Sequence, residues 1–196
     1  MQVPLLVDDF LRRAIQVYPD KTAVVDGDVR LNYAELAKRV NRLSHALLGL
    51  GVRRGDRVCI LSPNSHFFLE SFYGTSQIGA VLVPLNFRLK GVEHQFILNH
   101  AGVRTVLVDR EYTHVVDEIR DELPGVQDWI VASDGNDETP PGWTDWNKWI
   151  HAASDSPPES LDIDENDLVS INYTSGTTAR PKGVMMTHRN CYINAY

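Results

Sequence analysis

Residues 57–84 read RVCILSPNSHFFLESFYGTSQIGAVLVP. Arg57 to Leu61 is a short continuous apolar run, the pattern of a strand buried on both faces. Ser65 stands where a helix N-cap belongs, and the segment that follows has helical length through about Ile78. Residues 81–84 return to an unbroken apolar run. A doubly buried strand, a helix and a second such strand predict two parallel strands joined by a crossover helix.

The alternation extends in both directions. Upstream, a helix over 8–17 places Phe10, Leu11, Ala14 and Ile15 on one face, and Pro19 stops it. Residues 22–25 and 29–33 flank Asp26-Gly27-Asp28, a tight hairpin turn. Asn32 and Glu35 have capping-box spacing, and the helix they open carries Leu36, Val40, Leu43 and Leu47 as one stripe before ending at Gly49-Leu50-Gly51. Downstream, helices are expected over 91–100 and 112–123 and strands over 105–108 and 127–132. Residues 22–132 therefore predict an α/β fold, a mainly parallel sheet flanked by helices. The stretch 133–160, rich in Asp, Pro, Gly and Ser, breaks this rhythm. Its Trp143, Trp146 and Trp149 are expected to pack on the sheet around a short helix over 146–150, not to form an aromatic binding platform.

With 43% hydrophobic and 23% charged residues, the 196-residue chain has globular composition and is not of the disordered class. A net charge of −7 and scattered positive residues argue against a nucleic-acid partner. Cys59 and Cys191 make neither a disulfide framework nor a zinc site and favour a reducing compartment. Asp8 and Asp9 follow the N-terminus too closely for a signal peptide. No apolar run approaches the roughly 20 residues a transmembrane segment needs. The expected location is cytoplasmic.

Residues 167–188 read DLVSINYTSGTTARPKGVMMTH. A strand over 168–173 runs into a loop of hydroxyls, glycine and one lysine, and a second strand-like run follows over 184–187. Such a loop suits polyphosphate. Gly176 lets the backbone approach closely, Ser175, Thr177 and Thr178 offer hydroxyl donors, and Lys182 supplies a compact mobile charge. It is not a Walker A loop: counted from Gly176, the second glycine position holds Pro181, and Gly183 replaces the magnesium-binding hydroxyl after the lysine. The loop is expected to join two strands, with no helix beginning at Gly183. Gly49-x-Gly51 fails as a dinucleotide fingerprint, because a strand follows it. Composition alone leaves an ordinary turn as the alternative.

Residues 173–184, YTSGTTARPKGV, resemble the YTSGTTGxPKGV signature of the AMP-forming adenylating superfamily. That superfamily includes acyl-CoA synthetases, adenylation domains of peptide synthetases and firefly luciferase. LNYAEL at 31–36 and IGAVLVPLNFRL at 78–89 resemble its first and second core motifs, in the right order. PLNFR at 84–88 resembles the acyl-CoA synthetases more than the peptide-synthetase domains, and within that branch fatty-acid–CoA ligases are the expected group.

The resemblance implies that residues 1–196 are the N-terminal part of the adenylation domain, ending just after a phosphate loop at 174–183. The rest of the large domain and a C-terminal domain would lie downstream, so this chain alone is expected to be inactive. The implied reaction activates a carboxylic acid with ATP and Mg2+ through an acyl-adenylate and transfers it to CoA. By resemblance, Thr174 through Thr178 cradle the β- and γ-phosphates, Lys182 and Gly183 belong to the same nucleotide-binding set with Lys182 as the catalytic charge, Thr174 helps hold magnesium, and His188 lies near the acyl pocket. Alternatives are a domain that loads a carrier protein and a nucleotide-binding homologue without catalysis. The expected partners are the acid, ATP and CoA, with room for a homodimer. One departure is visible: Ala179 replaces the usual glycine, which would cost about 1–2 kcal/mol if that position needs a left-handed backbone.

Overall fold

The computed structural model describes residues 3–133, 135, 138–174 and 180–195. The chain opens with helix α1 (Asp8–Val17) and the hairpin β1 (Thr22–Asp26) and β2 (Val29–Asn32), turned by Gly27 at φ +52°. Helix α2 (Tyr33–Gly49) begins at the expected capping box. Asn32 Oδ1 accepts from the Glu35 amide at 2.8 Å, and Glu35 Oε2 accepts from the Asn32 amide at 2.8 Å. Next come β3 (Arg57–Leu61), α3 (His66–Ser76), β4 (Val81–Leu85), α4 (Gly91–Ala101) and β5 (Val103–Asp109). Ser65 caps α3, its Oγ accepting from the Phe68 amide at 3.3 Å.

The helix expected over 112–123 is broken. It becomes a 3-10 turn (Arg110–Tyr112), the short α5 (Thr113–Asp117) and a second 3-10 turn (Arg120–Glu122). Thr113, Val115 and Val116 are β-branched and weak helix formers, and the backbone leaves helical geometry at Ile119 (φ −114°, ψ 0°). Val116, Ile119 and Leu123 are buried all the same. β6 (Asp128–Ala132), the two-residue β7 (Thr144–Asp145), α6 (Trp146–His151), β8 (Leu168–Thr174), β9 (Lys182–Thr187) and α7 (His188–Asn194) complete the described elements.

Seven strands form one sheet in the order β7-β6-β5-β3-β4-β8-β9. All neighbours are parallel except β8 and β9, which are antiparallel. The hairpin corrects one expectation. β1 and β2 form a separate two-stranded antiparallel sheet, packed through Val24 against Leu11 of α1 and Leu36 and Val40 of α2.

The two faces of the large sheet are covered by separate apolar clusters. Val58, Ile60, Leu82, Leu107 and Ile130 point toward α2 and α6, whereas Cys59, Leu61, Val83, Val106, Val108 and Val131 point toward α4 and α5. Successive residues of one strand thus feed opposite layers, as the two-residue period requires. The tryptophans belong to these layers. Trp146 is fully buried edge-on to Phe67, and Trp143 is buried with its Nε1 donating to Asp117 Oδ1 at 3.0 Å.

Cys59 lies in the centre of β3, where burial pushes its thiol up to about 12, whereas Cys191 on α7 is only half-buried. Thiol titration of the native chain at pH 8 should therefore modify Cys191 first, with Cys59 reacting only on unfolding. Two equally fast thiols would contradict the burial of β3.

Candidate functional site

β8 is the last parallel strand of the sheet, and β9 turns back along it. The register pairs Thr174 with Lys182, Tyr173 with Gly183 and Asn172 with Val184. The loop therefore joins two strands, as expected, and the next helix starts only at His188. Ser175, Gly176, Thr177, Thr178 and Ala179 fall outside the described residues. Of the remaining expected site residues, Thr174 and Lys182 face each other across the mouth of the loop, both exposed, and Gly183 lies one residue inside the stem.

Gly183 has a steric reason. A β-carbon there would lie 2.9 Å from Ile171 Cγ2 and 3.1 Å from the Tyr173 ring, so the stem closes only over a residue without a side chain. Tyr173 is half-buried, and burial pushes its phenol above the ordinary tyrosine range. Its hydroxyl lies 2.7 Å from His100 Nδ1 at the end of α4. β9 has β8 as its only partner among the described residues, and Val184 and Met185 on it are 45% and 65% exposed. The apolar run over 184–187 is an edge strand, not core.

His188 is fully buried at the start of α7. Its backbone amide donates to Asp167 O at 3.1 Å, and its Nδ1 accepts from the Val7 amide at 3.3 Å. Burial pushes its pKa down, which keeps the ring neutral and able to accept at Nδ1. Around it, the Leu5 amide donates to Glu165 Oε2 at 3.0 Å, Glu165 ion-pairs with Arg189, and Phe10 stacks on Tyr192 with centroids 4.7 Å apart. The N-terminal segment is thereby clamped to the helix that follows the loop. Its partners lie so far apart in sequence that no local spacing announces them. Asp8, in this segment, is 7% exposed, and burial pushes its carboxyl up to about 7 against the opposing pull of Ser76 and Arg12.

The sequence pattern of the AMP-binding enzyme family matches residues 11–196. The chain belongs to that family. Among its relatives, a peroxisomal butyrate–CoA ligase of Arabidopsis thaliana is 34% identical over 98% of this chain and 36% of its own length. The long-chain-fatty-acid–CoA ligase FadD13 of Mycobacterium tuberculosis is 38% identical over 94% of this chain and 35% of its own length. The chain spans about a third of the length of these relatives. Among solved structures, the anthranilate CoA ligase AuaEII in complex with anthranoyl-AMP superposes with a TM-score of 0.88 at 32% identity, over 96% of this chain and 37% of that one. The inhibitor-bound N-terminal domain of FACL13 from Mycobacterium tuberculosis gives 0.83 at 36% identity, over 93% and 44%. The mostly parallel α/β sheet of this AMP-binding enzyme is thus the one seen in adenylate-forming ligases.

The buried Asp8 gives the clamp a pH dependence. Its folded pKa lies above its unfolded value of 3.8, so its effect is most favourable below about pH 4. Stability is then lost as pH rises, and the loss is complete above about pH 7. Asp8→Asn should therefore be more stable than the parent at pH 8 in urea unfolding, with the gap closing as pH falls toward 4. A gap that widens at low pH would contradict the burial of this carboxyl.

Proposed function

We propose that this chain supplies the phosphate-binding loop of an AMP-forming acyl-CoA ligase, as the N-terminal part of its adenylation domain ending just after residues 174–183. The observation that carries this reading is the strand–loop–strand stem, in which the register sets Thr174 of β8 opposite Lys182 of β9 at one mouth. That geometry supports a loop held around a polyphosphate from both sides. The run of CoA ligases among the relatives supports CoA as the acyl acceptor.

In the first half-reaction a carboxylate oxygen of the acid attacks the α-phosphorus of ATP. The bond to the bridging oxygen breaks, and pyrophosphate leaves. Lys182 would sit against that departing charge, where a compact ammonium gains most as charge develops. The amides and hydroxyls of Ser175, Gly176, Thr177 and Thr178 would hold the β- and γ-phosphates, and Gly183 would keep the stem closed beneath them. In the second half-reaction the CoA sulfur attacks the acyl carbonyl, the thiol proton is lost and AMP leaves. His188, neutral and buried, is proposed to stand behind the acyl pocket as an anchor and not as an acid or base.

Magnesium fits this mouth only in company. Among the described residues no group of three His, Cys, Asp or Glu side chains could hold a metal, while a Thr174 hydroxyl beside phosphate oxygens is the hard oxygen set that the ion takes. When bound, the ion would neutralise phosphate charge. The acids named for the relatives range from butyrate to long-chain fatty acids and anthranilate. A fatty acid is the proposed substrate. Cys59 and Cys191 are both free, which suits a reducing compartment such as the cytoplasm. Among the described residues no helix is long and apolar enough to cross a membrane.

Two measurements test the proposal. The 196-residue chain alone should give no acid-dependent exchange of pyrophosphate into ATP, because groups essential to adenylation are assigned downstream; robust exchange would overturn that division of labour. In the ligase at its natural length, Lys182→Ala should slow adenylation by about two to three orders of magnitude. Thioester formation from preformed acyl-adenylate should be largely spared, since pyrophosphate has by then left. Equal slowing of both steps would detach Lys182 from the phosphates.

A further inference from the structure

Both ends of the loop are tied to one turn of α4. On the outgoing side, the Tyr173 hydroxyl meets His100 Nδ1 at 2.7 Å, and the two rings pack edge to face with centroids 5.8 Å apart. On the returning side, the Arg180 guanidinium lies over the Phe96 ring, 5.8 Å from its centroid. Phe96 and His100, one helical turn apart, stack on each other at 5.3 Å and 23°. The Tyr173 ring cannot retreat toward β9, because it already rests on Gly183.

We infer that the Phe96–His100 turn of α4 braces the mouth of the phosphate loop, with His100 as a positioning residue that acts through Tyr173. The inference rests on the reading of the loop as a phosphate site. Its physical content is a three-point constraint. Tyr173 is held below by Gly183 and above by His100, while Arg180 is drawn to the same helix face by the quadrupole of Phe96. Burial holds the Tyr173 phenol above the ordinary tyrosine range, so its hydroxyl keeps the proton that a hydrogen bond to the ring nitrogen of His100 can use. Fixing the stem at residues 173 and 180 holds Thr174 and Lys182, the pair at its mouth, in place before a ligand arrives, so less freedom is lost there on binding.

The test uses the ligase at its natural length with Tyr173→Phe, His100→Ala and His100→Asn. Tyr173→Phe and His100→Ala should raise the KM for Mg·ATP in pyrophosphate exchange about fivefold, the scale of one hydrogen bond lost. Neither should alter thioester formation from preformed acyl-adenylate. His100→Asn, whose amide oxygen can accept from the phenol, should recover most of the loss. In the 196-residue chain, Tyr173→Phe should speed hydrogen exchange at the amides of Thr174 and Lys182. An unchanged KM, equal loss in both half-reactions, no recovery with Asn or unaltered exchange protection would each overturn the brace. A parent ligase that fails pyrophosphate exchange would instead sink the functional reading on which the brace depends, so the two failures are told apart.

Discussion

β3 is hydrogen-bonded in parallel to β4 on one side and β5 on the other, and Val58 through Leu61 are fully buried. This doubly flanked, doubly covered strand is the constraint on which the rest of the molecule depends. Its alternate side chains seed both apolar clusters, so the helical layers on the two faces are held by a single backbone. Parallel neighbours must be reached by crossovers, which places α3 and α4 between successive strands. A break in β3 would uncouple both layers at once.

The position of the loop follows from that sheet. β8 runs parallel to β4, so the loop leaves at the carboxyl ends of the strands, where open α/β sheets carry their ligands. The antiparallel return of β9 makes this loop unlike a strand-to-helix phosphate loop. No helix N-terminus follows to supply a dipole, because α7 does not begin until the far end of β9. A charge at this mouth comes from side chains, and among the described residues Lys182 stands there at the start of β9, opposite Thr174.

Much of this was legible in the sequence wherever a local pattern dominates. The capping box at Asn32 and Glu35, the cap at Ser65, the apolar runs of β3 and β4 and the two-strand loop stem all depend on residues close in sequence. The misses have physical causes. α5 breaks because β-branched Thr113, Val115 and Val116 weaken a segment whose apolar spacing alone looks helical. The hairpin stands apart because alternation cannot tell which sheet a strand joins. β7 is too short to carry a pattern. At the candidate site, the residue types of the loop were readable, whereas its bracing was not. Tyr173 with His100, and Val7 with His188, meet only through the tertiary fold, and each of these side chains had a plausible local explanation without its partner.

The pairing of β8 with β4 has a consequence for how the chain is made. Between them in sequence lie β5, β6, β7 and three helices, so the ladder between β4 and β8 closes a large loop, and the entropy of closure grows with the logarithm of its length. During synthesis β3, β4 and β5 can assemble while β8 is still inside the ribosome. Throughout that interval the outer edge of β4 is an open ladder, ready to accept any extended strand. The strand that leads into the candidate loop is thus also the one that covers β4: until Leu168–Thr174 emerges, the nascent chain has neither that loop's stem nor a partner for this edge.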